Sequence, residues 1–188
     1  LPQLAATTSS SGYLDLTAGF GYQHLTKGRA AWNNADVGFA KRFENRAVIT
    51  AVVSTEKRFD ARDETLTIAG SYPLHERVFV NAEVGYGNDN EILPRYSLAG
   101  GVTFELSKGF LLSGAYKRNQ YRVPKVEILT FGVEKYWADF RVQVKLDASS
   151  VEDSHQEYSR TAGLGYYYGE VAAYPFVVGL GPETNRLD

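Results

Sequence analysis

From Val126 to Leu146 the chain alternates with a period of two residues. Leu129, Phe131, Val133 and Trp137 fall on one face, and Thr130, Gly132, Glu134 and Tyr136 on the other. That period marks a β-strand with two unlike faces. The chain then reverses through Trp137-Ala138-Asp139-Phe140, and Phe140, Val142, Val144 and Leu146 oppose Arg141, Gln143, Lys145 and Asp147. Each arm runs to roughly ten residues, longer than an ordinary globular strand and close to what a tilted strand needs to cross a bilayer. Periodicity does not say which face is inside. A soluble sandwich hides its apolar face in a core, whereas a transmembrane barrel turns that face to lipid and keeps the polar one for its lumen.

The same alternation recurs along the whole chain. Leu14, Leu16, Ala18, Phe20 and Tyr22 alternate with Asp15, Thr17, Gly19, Gly21 and Gln23. Ala35, Val37 and Phe39 lead through a reversal near Glu44 into Ile49, Ala51 and Val53. Leu66, Ile68 and Tyr72 turn near His75 into Val78, Val80, Val84 and Tyr86, and Tyr96, Leu98, Val102 and Phe104 turn near Ser107 into Phe110, Leu112 and Tyr116. After the hairpin at Ala138 come Tyr158, Leu164, Tyr166 and Tyr168, a tight Gly169-Glu170 turn, and Tyr174, Phe176, Val178 and Leu180. About eleven strands are predicted, and no helical period survives beyond about two turns.

The connections separate the two architectures. Tight turns at Glu44, His75, Ser107, Ala138 and Gly169 alternate with longer polar segments at 24–34, 56–64, 87–95, 117–125 and 147–156. Short turns at one end and long loops at the other define an up-and-down antiparallel transmembrane β-barrel, with the short turns on the periplasmic side. A Greek-key sandwich has no reason to keep that alternation.

Composition narrows the function classes. A net charge of −2 argues against a nucleic-acid surface. With no cysteine, disulfides, thiolate metal sites and cysteine nucleophiles all drop out. The longest uncharged apolar run, Val171 to Pro182, is too short for a spanning helix and contains Gly and Pro. Methionine is absent, so a processing or truncation point is expected before Leu1, and the polar stretch Leu1 to Ser11 reads as a linker or processed terminus ahead of a barrel over residues 12–188.

If the apolar face meets lipid, the polar parity holds Asp15, Asp36, Glu56, Arg58, Asn81, Glu83, Arg95, Glu105, Lys117, Glu134, Arg141, Gln143 and Lys145, among many Gly and Ala. These charges either pair across strands and plug a narrow lumen, or line a hydrated passage for a polar solute or polymer. Lys135 and Arg160 fall on the lipid parity, where a place near a strand end lets them snorkel to headgroups. The basic stretch Lys117 to Arg122 is a candidate for contact with anionic lipopolysaccharide or an acidic glycan.

Resources for catalysis are thin. His155, Glu157 and Ser159 share a parity, but four residues along one strand is too far for a direct His–Ser hydrogen bond, so no catalytic residues are assigned. Glu152, Asp153 and Asp147 read more simply as a solvated acidic loop than as a cation site. No cofactor or metal is expected.

Several strings in order carry a family resemblance: Leu16 to Leu25 (LTAGFGYQHL), Glu56-Lys57-Arg58-Phe59, Gly70-Ser71-Tyr72-Pro73-Leu74, Leu93 to Gly101 (LPRYSLAGG), Gly132 to Arg141 (GVEKYWADFR) and Tyr166-Tyr167-Tyr168-Gly169-Glu170. From Gly12 onward the chain resembles the YaiO family of outer-membrane β-barrels. The resemblance implies an even-stranded barrel in a Gram-negative outer membrane, surrounded by lipid and lipopolysaccharide. It further implies non-enzymatic, porin-like help in exporting a cell-surface polysaccharide beside a periplasmic polysaccharide export protein. Glu83, Arg95, Glu105, Glu134, Arg141 and Lys145 are the expected lumen contacts for binding or passage. A receptor barrel whose loops bind phage or a host surface is the alternative, with a lipid hydrolase behind it. Family barrels continue past the position of Gly181 and usually end on an aromatic residue, so a sheet incomplete at its C-terminus is expected here.

Overall fold

The computed structural model describes residues 12–23, 32–58, 61–88, 90–152, 156–168 and 172–180. Among them are eleven strands: β1 (Leu14–Gln23), β2 (Trp32–Arg42), β3 (Val48–Arg58), β4 (Ala61–His75), β5 (Val78–Tyr86), β6 (Tyr96–Ser107), β7 (Phe110–Gln120), β8 (Lys125–Trp137), β9 (Phe140–Val151), β10 (Gln156–Tyr168) and β11 (Ala172–Leu180). They form one sheet in chain order, each strand antiparallel to the next. β1 and β11 are its edges and do not pair among the described residues. In an up-and-down sheet all odd-numbered strands run the same way, so direct contact between these two edges would be parallel and could not complete the antiparallel ladder.

Register fixes the faces. Leu16 pairs with Phe39, Phe39 with Ala51, Ala51 with Ile68, Ile68 with Val84 and Val84 with Leu98, an unbroken apolar row over six strands. One position along, every neighbour belongs to the opposite face, because a strand's side chains alternate. That second face is polar and concave. Lys117 Nζ of β7 reaches Glu83 Oε1 of β5 at 2.8 Å across the intervening β6, as curvature toward the polar face allows.

Exposure decides what periodicity left open. Leu16 and Phe20 are each 77% exposed, and Val48 is the one buried hydrophobic residue among those described. The side chains of Glu56 and Glu134, on the concave face, keep only 18% of their surface. A sandwich covers its apolar face with a second sheet. Among the described residues that face has no second layer, so the medium outside must itself be apolar.

The predicted turns lie at 43–47, 76–77, 108–109 and 138–139, the turn end of the sheet, while the Gly169-Glu170 turn lies outside the described residues. Gly109 has φ +71°, and a Cβ there would sit 2.6 Å from the Tyr136 carbonyl oxygen, so both the turn and its close neighbour require glycine. Trp137 and Phe140 flank the last of these turns with ring centroids 5.9 Å apart, and Tyr166 packs on Phe140 at 5.1 Å. Tyr86 and Tyr96 make a matching pair at the opposite, loop end, 5.5 Å apart. Two aromatic girdles bracket the apolar band, as at the two interfaces of a bilayer. Lys135 lies at the turn end, its Nζ on the Lys108 carbonyl oxygen, where snorkelling is short.

Three of the expected long loops are corrected. β3 and β4 pair out to Arg58 and Ala61, leaving only residues 59–60 between them, so 56–64 is a strand hairpin. β7 continues to Gln120 and β8 begins at Lys125, and β9 runs to Val151 with β10 resuming at Gln156. The polar residues that suggested loops belong to strand ends that continue past the apolar band. Pairing needs only backbone groups, so polarity marks where the membrane ends and not where the strand does. The 87–95 connection keeps its predicted length.

Most of the basic stretch 117–122 is likewise strand, since β7 runs to Gln120. As part of a strand it divides between faces, sending Lys117 and Asn119 to the concave side and Arg118 outward opposite Glu127.

Candidate functional site: the polar concave wall

The concave wall has two unlike halves. At the loop end, β2 to β7 enclose a cleft of about 550 Å³. Its walls carry hydroxyls from Ser54, Thr65, Thr67 and Ser97, amides from Asn34 and Asn119, and carboxylates from Asp36, Glu56 and Glu83. Strand alternation puts these groups there, since each lies at the polar parity of its strand or at its end. Glu83 is paired with Lys117, and Glu56 with Arg58 on its own strand. Arg58 in turn lies over the Trp32 ring, 4.4 Å from its centroid.

The connection between β5 and β6 folds against this cleft. Asp63 of β4, 3% exposed, accepts hydrogen bonds from the backbone N–H groups of Glu91 (3.0 Å), Ile92 (2.5 Å) and Leu93 (2.6 Å). Three N–H groups converging on one carboxylate satisfy a buried charge without a cation. Asn90, 1% exposed, donates from Nδ2 to Thr65 Oγ1 at 3.2 Å and to the Pro94 carbonyl at 3.3 Å. Arg122 holds Glu91 from β7's end at 2.9 Å. Leu93 and Pro94 thereby become part of the cleft wall.

At the turn end the wall carries an ion pair. Arg141 Nε donates to Glu134 Oε2 at 2.8 Å, Tyr136 donates its hydroxyl to the same oxygen at 3.2 Å, and Arg141 also bonds Gln143 Oε1. Further along, Asp147 accepts from Thr130 Oγ1 at 2.5 Å and from Ser159 Oγ at 3.3 Å. Small residues opposite make room: a Cβ on Gly132 would meet Ser113 Oγ, and one on Gly163 would meet Gln143.

The six expected lumen residues are spread along this wall and do not gather at one site. Glu83 lines the loop-end cleft, and Glu134 with Arg141 forms the turn-end pair. Glu105 is at the turn end of β6, its N–H bonded to the Arg77 carbonyl. Lys145 stands on the polar parity of β9, opposite Gly132 and Thr161. Arg95 precedes β6, where its Nε reaches the Asn90 carbonyl oxygen at 3.4 Å, so it braces the folded connection from its foot.

Sequence reasoning passed over Asp63, Asn90 and Asn119. Asp63 shares the parity of Thr65 and Thr67, a signal hidden by reading its segment as a loop. Nothing local marks Asn90. His24, His155 and Asp153 lie outside the described residues, as do the 1–11 segment and the side chains of β11. Ser159, weighed as a nucleophile, donates a hydrogen bond to Asp147. Among the described residues no group of His, Asp or Glu is placed to hold a metal ion.

One antiparallel up-and-down sheet, polar on its concave face and apolar on its convex one, with aromatic girdles at both ends, defines a membrane β-barrel protein. The chain matches the family model of the YaiO membrane β-barrel domain over residues 15–181, and it belongs to that family. No curated protein and no solved structure matches it.

Proposed function

We propose that this barrel resides in the outer membrane of a Gram-negative bacterium and gives a cell-surface polysaccharide its passage across that membrane, without chemistry of its own. The observation that carries the reading is the loop-end cleft: a hollow whose wall is mostly hydroxyl, amide and carboxylate side chains, with Leu93, Pro94 and Tyr121 among them. Such a wall suits a polyol, which presents many hydroxyls that donate and accept and has little apolar surface. Outer-membrane placement is supported by the alternating strands and the two aromatic girdles. A periplasmic polysaccharide export protein is the partner this role requires at the turn end, and lipid with lipopolysaccharide surrounds the apolar band.

Filling the cleft tests the reading. Ser54→Trp and Ser97→Trp place bulk in it while leaving the apolar face untouched. Secreted glycan should fall sharply in cells carrying either variant, with the barrel still showing heat-shifted gel mobility. Normal secretion from an assembled double variant rejects export.

The folded β5–β6 connection favours a second reading, a plugged scaffold whose outer connections bind phage or a host surface. A membrane-inserted chain with no conductance in planar bilayers supports that reading, and steady conductance opposes it.

A further inference from the structure

We infer that the loop-end cleft is a binding subsite for a glycan carrying free, positively charged amino groups, a deepening that rests on the export reading above. Among the cleft's side chains without a partner, two stand out, a buried amide and a carboxylate. Asn119 is 8% exposed, and its side-chain carbonyl Oδ1 is buried with no hydrogen-bond partner. Asp36, on β2 across the cleft, makes no hydrogen bond or ion pair among the described residues. A buried amide oxygen left unpaired is costly, and native structures fill such positions with water or ligand.

Charge supplies the second half of the argument. The charged groups on the cleft wall are Asp36, Glu56, Glu83 and Lys117, and with Arg58 held on Glu56 and Lys117 on Glu83 the one acid left unpaired is Asp36. Lys117 is bound to Glu83, so it has little left to offer an anion. An acidic sugar meets the unpaired Asp36 carboxylate with both nearby cations already occupied, whereas a neutral sugar leaves the Asp36 charge unanswered. An ammonium group answers it, and neighbouring hydroxyls of the same ligand can donate to Asn119 Oδ1. Tyr121 at the rim adds an aromatic surface of the kind on which a sugar ring lies.

The test is titration of the folded chain in detergent with three tetrasaccharides of equal length: glucosamine, N-acetylglucosamine and galacturonate. Binding is read by calorimetry at a pH where the amines are charged. The glucosamine tetramer should bind about tenfold or more tighter than its acetylated counterpart, since one charge-assisted contact distinguishes them. Asp36→Asn, nearly isosteric, should abolish that preference, Asn119→Leu should weaken all three sugars, and Glu76→Gln at the distant turn end should change nothing. Equal binding of the amine and acetylated forms, best binding by galacturonate, or a preference that survives Asp36→Asn overturns this inference and leaves export standing. No binding of any sugar by the folded chain overturns both.

Discussion

Asp63 and Leu93 are thirty residues apart in the chain, yet Asp63 Oδ2 accepts the Leu93 backbone N–H at 2.6 Å. That bond, with its neighbours from Glu91 and Ile92, ties the β5–β6 connection to β4. It sets the shape of the cleft, because Leu93 and Pro94 form part of the wall only while the connection is held.

Asp63→Asn should therefore release the connection without unfolding the barrel. An amide has one acceptor oxygen and no charge, so the variant forfeits on the order of 2 kcal/mol of local anchoring. Limited proteolysis should cut faster within residues 87–95, and single-channel conductance should rise. Unchanged proteolysis would mean that Asn90 and Arg122 hold the connection unaided.

The turn-end pair responds differently. Removing the Arg141 guanidinium by Arg141→Ala leaves Glu134 on the concave wall with only the Tyr136 hydroxyl as partner. Both side chains keep about a fifth of their exposure, 21% for Arg141 and 18% for Glu134, so solvent softens the loss. Urea unfolding in lipid vesicles should show a destabilisation of about 1–3 kcal/mol, below that of a fully buried pair. Glu134→Gln combined with Arg141→Ala should recover part of it. A double variant as unstable as the sum of the two single ones would show that the pair is not coupled.

The assignment of faces has the sharpest test. Phe131, mid-strand in β8 and 55% exposed, faces outward, and Thr130 beside it faces Asp147. Phe131→Arg should cost about 2–4 kcal/mol of folding stability in vesicles, the penalty for a cation near the bilayer midplane. Thr130→Arg should cost about 1 kcal/mol or less, since Asp147 is there to meet it. The reverse order would turn the barrel inside out.

How much was legible beforehand follows from what each feature depends on. Strand number, the tight turns and the apolar and polar parity depend on residues within a few positions of one another, and among the described residues the structure has them where alternation predicts. The loop boundaries were misread because hydropathy reports contact with lipid, while strands end where backbone pairing ends. At Arg58 and Ala61 these two limits differ by several residues.

By itself the sequence determined a set of two-faced antiparallel strands, long enough to cross a bilayer, with charges of both signs on one face. Period two and strand length are local properties, so no tertiary information was needed. Only the tertiary structure decided that the apolar face is convex and uncovered, because curvature belongs to the whole sheet. It alone put Glu83 in a loop-end cleft and joined Glu134 to Arg141 in a turn-end ion pair. It alone brought Asp63 to Leu93 and left Asn119 buried and unpartnered in the cleft wall, since those relations are made across strands by register and the folding of one connection.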